Sequence, residues 1–389
     1  MDILIYRYGS ICEPDIIDTF KSMGNFVFEI KEEITNKNLT NKQCVEIVSN
    51  ELMKKRYDFV FSINFYPVVS EVCKIFKTTY VSWMVDSPVL ELYSWSIRNE
   101  CNRIFMFDYA MYSEFINENP NCIYYLPLGA NYERLESVIN SISAADREKY
   151  SSDITFIGST YSEKCSYNYW KDNDSYLRGY FDGIIEAQLK VYGYNFLEEV
   201  ISDWMVEEFR KKFPFYEFAE RSNKNYKAVL AQFYLGTKVT ELERLRIFKK
   251  ISEKFNFSLY TASDLSDLPK VINKGLAESL VEMPKIFHLS KINLNLTSKP
   301  IRTGLPQRVW DIMSAGGFLL SNYQEELPEY FEIGKDLDVY SSEDELIEKI
   351  EYYLNHEDER IKIAQNGYRK IKNMRYTLRD RLETMMSLI

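Results

Sequence analysis

Histidine is scarce in this sequence, since 389 residues contain only His288 and His356. A zinc site built on histidines and a Ser-His-Asp triad are therefore not expected. The six cysteines include no C-x-x-C pair, which argues against a metal or disulfide framework and favours reduced thiols. Any catalytic or binding role therefore falls to carboxylates, hydroxyls, amides and cationic side chains.

Long apolar runs and an excess of basic residues are also missing. No stretch is long and uncharged enough to predict a membrane-spanning helix, and no apolar leader opens the sequence. The net charge of −10 disfavours a nucleic-acid partner, because binding a phosphate backbone needs basic surface. We therefore expect a cytoplasmic protein without a transmembrane segment. The oligomeric state cannot be predicted.

A G-x-G-x-x-G loop is absent after the first strand pattern, residues 2–6, which argues against a bound dinucleotide. Strand and helix patterns alternate through the first 126 residues and predict a parallel, doubly wound α/β sheet. Ligands of such sheets bind at the carboxyl ends of the strands. Those ends carry Gly9, Ser10, Asn64, Tyr66, Asp86 and Asp108.

The length of the chain predicts two domains. A polar stretch at residues 137–153 predicts the connection, which gives a first domain of residues 1–150 and a second of residues 151–375. The second domain opens with a strand that ends at Gly158 and Ser159. The strongly helical residues 175–255 predict a helical insertion in this domain.

Residues 292–320 have the most informative pattern, which predicts a strand, a loop, a helix and a second strand. Pro306 suits the first position of the helix, where its missing N–H costs nothing. The start of such a helix presents free N–H groups and a positive dipole end to an anion. Arg302 and Arg308 can add bidentate contacts to phosphate oxygens. An ordinary crossover with two solvated arginines is the alternative.

Three segments accompany this pattern: Arg308-Val309-Trp310-Asp311, Gly316-Gly317 and Glu325-Glu326-Leu327-Pro328-Glu329. Together they resemble the donor half of CgeB-like glycosyltransferases, and the resemblance covers about the last hundred residues. It implies the GT-B fold, in which two Rossmann-like domains face each other across a cleft. It also implies that the last helix, at about residues 376–389, crosses back onto the first domain.

The resemblance implies that a nucleotide-diphosphate sugar, a UDP- or dTDP-sugar, is the co-substrate and that no other cofactor is needed. Asp311 stands where the family places an acid that accepts hydrogen bonds from ribose hydroxyls, although it could simply pair with Arg308 at i, i+3. Arginines would stabilise the leaving diphosphate without a metal. The implied donor-binding residues are Gly158, Ser159, Arg302, Thr303, Gly304, Gln307, Arg308 and Asp311.

Related retaining enzymes carry a glutamate eight positions before the acid at 311, and this chain has Thr303 there. Direct displacement with inversion is therefore the preferred mechanism. It needs a general base, for which Asp86 is the first candidate and Asp108 the second. Each could instead be a helix N-cap. Gly9, Ser10, Asn64 and Tyr66 are the predicted acceptor-side residues.

Two Asp-x-Asp sequences, at residues 172–174 and 336–338, have the spacing that some glycosyltransferases use to hold a metal. Neither follows the strand that a metal site needs, so we predict solvated loop acids and no metal site. Two functions other than sugar transfer stay open. One is a nucleotide-sugar 2-epimerase or hydrolase, and the other is a nucleotide-sugar-binding protein without turnover. The acceptor, whether glycan, peptide, protein or small molecule, cannot be read from the sequence.

Overall fold

The computed structural model describes residues 1–171 and 175–389. The chain divides into two compact units. Unit 1 comprises Met1–Asn131, Glu217–Asn225 and Thr377–Ile389, and unit 2 comprises Tyr132–Tyr216 and Tyr226–Tyr376. Each unit contains one six-stranded sheet in which all strands are parallel. The predicted α/β class with two parallel sheets is confirmed.

The strands are β1 (Asp2–Tyr6), β2 (Phe26–Ile30), β3 (Phe59–Ile63), β4 (Thr79–Trp83), β5 (Asn102–Met106), β6 (Ile123–Tyr125), β7 (Ser152–Ile157), β8 (Phe257–Tyr260), β9 (Ile272–Asn273), β10 (Ser290–Asn295), β11 (Leu319–Asn322) and β12 (Asp338–Tyr340). The helices are α1 (Glu13–Ser22), α2 (Glu32–Thr35), α3 (Asn41–Lys54), α4 (Pro67–Phe76), α5 (Tyr109–Phe115), α6 (Tyr132–Asn140), α7 (Ala144–Tyr150), α8 (Ser175–Gln188), α9 (Leu197–Val200), α10 (Asp203–Lys212), α11 (Tyr226–Ala228), α12 (Gly236–Ser252), α13 (Glu282–Leu289), α14 (Gln307–Ser314), α15 (Leu327–Tyr330), α16 (Glu343–Asn355), α17 (Glu357–Asn373) and α18 (Leu378–Met386).

The sheet of unit 1 has the strand order β2-β1-β3-β4-β5-β6. Every residue of β3 is buried, as expected for a central parallel strand that is covered on both faces. The order reverses between β1 and β3, and such a switch point opens a crevice at the carboxyl ends of the two strands. The C-terminal helix α18 belongs to this unit, where Arg379 donates a hydrogen bond to Ser22.

The sheet of unit 2 has the order β12-β11-β10-β7-β8-β9, with its switch point between β7 and β10. Ile292 of β10 lies opposite Ile154 of β7, so the two central strands share one apolar register. Buried residues of α12 and α16, among them Ile251 and Ile350, pack into the same core as these strands. This packing fixes the ends of β7 and β10 side by side.

The predicted helical insertion forms helices α8 to α12, with a π-helical segment, Val229–Leu235, leading into α12. Its core is aromatic: the rings of Trp170 and Phe209 lie 4.9 Å apart. Pro214 lies two residues beyond the end of α10, as expected for a residue that cannot continue a helix. Within residues 1–171 and 175–389, no helix is long and apolar enough to cross a membrane.

Candidate functional site

The loop after β7 enters the switch point of unit 2. The Gly158 amide donates to the Tyr260 carbonyl at 3.0 Å, and the glycine has a φ of 154°. A Cβ at this position would lie 3.0 Å from the ring of Phe156, so the tight turn requires glycine. The Ser159 hydroxyl accepts from the Tyr161 amide at 2.7 Å and donates to Glu163 at 2.5 Å. Ser159 therefore shapes the loop through its own side chain.

The loop after β10 leads into α14 on the other side of the switch point. Helix α14 begins at Gln307, one residue later than predicted, because Pro306 has an extended backbone and is the N-cap. The Thr303 hydroxyl donates to the Glu326 carboxylate at 2.7 Å, and the Gly304 carbonyl accepts from Gln324 at 3.2 Å. The segment after β11 therefore holds this loop at two points.

Three predicted donor residues lie among the first five residues of α14. The Gln307 amide donates to Asp311 Oδ1 at 2.8 Å, whereas the Arg308 guanidinium is 3.9 Å from Asp311 Oδ2. Arg308 also lies 5.1 Å from the centre of the Phe287 ring and 3.3 Å from the sulfur of Met283. The Asp311 carboxylate is thus bonded to Gln307 more closely than to Arg308. Arg302 lies partly buried in the loop before the helix.

At the switch point of unit 1, three side chains from three strand ends meet. Asp86, after β4, is exposed, and its Oδ2 accepts from the Asn64 amide at 2.7 Å and from the Tyr8 hydroxyl at 3.3 Å. Asn64, after β3, has a φ of 56° and also accepts from the Val85 amide at 3.1 Å. Burial and then the charge of Asp86 raise the pKa of Tyr8. A carboxylate in this arrangement can accept a proton from a bound hydroxyl.

The other predicted acceptor-side residues lie around this cluster. The Gly9 amide donates at 3.0 Å to the buried carboxylate of Glu13, and the φ of Gly9 is 93°. The Ser10 hydroxyl accepts from the Cys12 amide at 3.3 Å. The Tyr66 hydroxyl donates to Glu33 at 3.3 Å. Gly9 and Ser10 therefore shape the turn after β1.

Asp108, the second candidate base, has a different environment. Its side chain is 0% exposed, and its carboxylate accepts from the Met111 amide at 3.2 Å at the start of α5. This is the geometry of an N-cap, which satisfies one of the free amides of the first helical turn. Asp86 is the exposed carboxylate of the two.

Residues 244–387 match the family model described as "Glycosyl transferase-like". This part of the chain is a glycosyl transferase-like domain. The match confirms the predicted enzyme class, a glycosyltransferase of class EC 2.4. A search of curated protein sequences found no match.

Solved structures resemble the whole chain. The Anabaena protein HepE in complex with UDP-glucose superimposes with a TM-score of 0.55 at 11% identity, covering 100% of this chain and 98% of that one. Sucrose-phosphate synthase from Thermosynechococcus elongatus gives 0.56 at 8% identity, with 100% and 98% coverage. A glycosyltransferase from Rickettsia africae gives 0.53 at 10% identity, with the same coverage. These likenesses confirm the GT-B fold.

Within the glycosyl transferase-like domain, residues 336–338 have partners of their own. The buried carboxylate of Asp336 accepts from Lys370 at 2.7 Å, and that of Asp338 accepts from Tyr353 at 2.8 Å and Lys349 at 3.0 Å. Asp336 and Asp338 are therefore buried and paired, so the prediction of solvated loop acids is wrong for this sequence. The other Asp-x-Asp sequence, residues 172–174, lies outside the described residues. Among the described residues, no group of three or more His, Cys, Asp or Glu could hold a metal ion.

Three residues of these sites were not singled out from the sequence. Tyr8 directly precedes the predicted Gly9-Ser10 turn, and its position just after β1 would have placed it at the same sheet edge as Asn64 and Asp86. Glu326 stands in the motif that resembles the family, but its bond to Thr303 joins residues 23 positions apart. Arg244, the first residue of the glycosyl transferase-like domain, gives no signal in the sequence because it is one of many charges in a helical stretch.

Proposed function

We propose that the protein is a CgeB-like glycosyltransferase that moves a sugar from a UDP- or dTDP-sugar to an acceptor hydroxyl without a metal ion. One observation carries the proposal: the glycosyl transferase-like match includes α14 and the loop before it, at the switch point of unit 2. HepE, which shares the fold, was solved with UDP-glucose.

The donor would use the residues on both sides of that switch point. Its diphosphate would accept hydrogen bonds from backbone N–H groups at the start of α14 and from the Ser159 amide, since the Gly158 amide is already bonded to Tyr260. The guanidinium groups of Arg302 and Arg308 would offset the charge that the diphosphate gains as it leaves. Asp311 would accept from the ribose hydroxyls, and its bond to Gln307 orients it for this role.

The reaction would be a single displacement. The acceptor hydroxyl attacks the anomeric carbon of the donor sugar, its proton goes to the Asp86 carboxylate, and the bond from that carbon to the diphosphate breaks. The electron pair of this bond stays on the diphosphate oxygen, and the configuration at the anomeric carbon inverts. Asn64 and Tyr8 would hold the base in place through their hydrogen bonds to its Oδ2.

Calorimetry with UDP, dTDP and GDP tests the donor site. Arg308→Ala should lower the affinity for the best-binding nucleotide by about 10- to 150-fold. This corresponds to about 1.5–3 kcal/mol, the contribution of a hydrogen bond to a charged group. Arg369→Ala is the matched control, because this exposed arginine of α17 donates a hydrogen bond to Gln365 at 3.3 Å and lies outside the proposed donor site. Unchanged affinity in a folded Arg308→Ala variant would remove Arg308 from the site.

A further inference from the structure

One buried arginine connects the two loops of the unit 2 switch point. Arg244, on α12, is 7% exposed. Its Nη1 donates to the Ser159 carbonyl at 2.6 Å, and its Nη2 donates to the Leu296 carbonyl at 2.7 Å. Ser159 follows β7 and Leu296 follows β10, the adjacent strands between which the order of the sheet reverses. A single planar guanidinium thus sets the distance between the two loops.

The peptide groups that Arg244 contacts are held from both sides. The Thr160 amide, in the same peptide group as the Ser159 carbonyl, donates to the Ser263 hydroxyl at 3.0 Å. The Thr297 amide, in the same peptide group as the Leu296 carbonyl, donates to Asn322 at 2.9 Å. With the carbonyl and the amide both bonded, each peptide plane has one orientation. The loops leave the sheet in fixed directions for this reason.

The charge of Arg244 is buried without an ion pair. Among the described residues Arg244 forms no ion pair within 4.0 Å, and its Nε has no hydrogen-bond partner. The centre of the Tyr161 ring lies 4.6 Å from the guanidinium carbon and that of Phe156 5.0 Å, which gives partial compensation by cation–π contact. Burial lowers the pKa of Arg244, and the more distant charge of the buried Glu243 raises it only in part against this effect. Burying a charge without an ion-pair partner costs free energy, so a contribution to fold stability does not by itself explain why an arginine occupies this position.

We infer that Arg244 is a positioning residue of the donor site, holding the Gly158-Ser159 turn and the loop before α14 at the spacing that one diphosphate requires. The inference rests on the proposed function. Arg244 does this through two backbone carbonyls, and its positive charge, which has no ion-pair partner within 4.0 Å in the described part of the chain, also favours an anion at the switch point. Lysine cannot replace it fully, because a single ammonium group lacks the planar fork that reaches two carbonyls at once.

Arg360 provides a matched control in the same unit. It is 5% exposed, its Nη1 donates to the Tyr353 carbonyl at 2.6 Å, and burial lowers its pKa as well. Its carbonyl partner ends neither β7 nor β10. Arg360→Met therefore removes a buried guanidinium, its bond to a backbone carbonyl and an ion pair with the exposed Glu357 at 3.5 Å, and it leaves the donor loops unchanged.

The test measures the affinity of UDP and of uridine for the full chain by calorimetry, with Tm recorded for each variant. Arg244→Met should lower the affinity for UDP by at least about tenfold. Arg244→Lys should lower it by less, and Arg360→Met by less than about twofold. Uridine, which lacks the diphosphate, should be affected less than UDP by the Arg244 variants. If Arg244→Met does not fold, Arg244→Lys carries the test.

Two results would overturn the inference, and they distinguish a failure of the inference alone from a failure of the proposed function. If wild type binds UDP but the Arg244 variants bind it within about twofold of wild type while losing Tm like Arg360→Met, Arg244 has a structural role only. If wild type binds none of UDP, dTDP and GDP, the proposed function fails, and the inference fails with it.

Discussion

The role of Asp86 as general base can be tested by a substitution that changes one atom. Asp86→Asn keeps the size of the side chain, and its amide oxygen can still accept the hydrogen bond that the Asn64 amide donates to Asp86 Oδ2 at 2.7 Å. Because Asp86 is exposed, the change should leave Tm within error. What it removes is the capacity to take a proton.

The expected effect is a fall in turnover of about 10²–10⁴, the usual contribution of a positioned general base. This corresponds to about 3–5 kcal/mol of transition-state free energy, at 1.36 kcal/mol for each factor of ten. Affinity for the nucleotide should not change, because the residues proposed to bind it belong to unit 2. The loss should therefore fall on kcat, with the Kd of UDP unchanged.

The assay measures release of nucleoside diphosphate under single-turnover conditions, together with Tm and the Kd of UDP. Asp108→Asn is the matched control: Asp108 caps α5, and asparagine caps a helix about as well as aspartate. It should keep both turnover and Tm. Near-normal turnover in folded Asp86→Asn would refute the assignment of the base, as would a product that keeps the anomeric configuration of the donor.

Three further outcomes are expected. Turnover should continue in the presence of EDTA, because the start of α14 and the arginines can hold the phosphates. A loss of turnover that Mg²⁺ or Mn²⁺ restores would instead favour the Asp-Asn-Asp sequence at residues 172–174 as a metal site. Hydrogen bonds, led by that from the Glu278 amide at 2.9 Å, lower the pKa of Glu282 from 4.5 to about 2. The ionised form of Glu282 therefore stabilises the fold above pH 4.5, and this contribution is lost as the pH falls towards 2. Glu282→Gln should lower Tm by about 2–4 °C at pH 7, and the difference from wild type should shrink below pH 4.5; a constant difference would contradict this. Gly317→Ala should destabilise unit 2 by about 1–3 kcal/mol in urea unfolding, because the added Cβ would lie 2.5 Å from the Phe287 carbonyl oxygen. Gly179→Ala is the control and should not destabilise the unit, since its Cβ would meet no atom within 4 Å. Equal effects of the two substitutions would contradict the packing argument.

The sheets could be predicted because buried parallel strands are short apolar runs between turn residues. Strand β3, with all five residues buried, is such a run. The sequence does not predict strand β9, because this strand has only two residues, both exposed, and its pairing with β8 is a tertiary contact. The pattern predicts the start of α14 one residue early, because the φ of Pro306, −67°, suits the first helical position and only its extended ψ of 158° makes it the cap.

The candidate sites could be predicted only in part, for a physical reason. Residues directly after strands, such as Asp86 and Asn64, can be placed at a sheet edge from local patterns alone. The contacts that orient them join positions far apart in the chain. Arg244 reaches Ser159 across 85 positions, and Tyr8 reaches Asp86 across 78. No local periodicity encodes such pairs, so the residues that position the loops became visible only in the folded chain.

The most direct test of the central claim is incubation of the protein with a panel of nucleotide sugars, followed by separation of all products. The account predicts that a UDP- or dTDP-sugar yields the nucleoside diphosphate and a sugar that is transferred or, without an acceptor, slowly released to water. Recovery of the bound nucleotide sugar unchanged, or its conversion to the C2 epimer, would contradict the account.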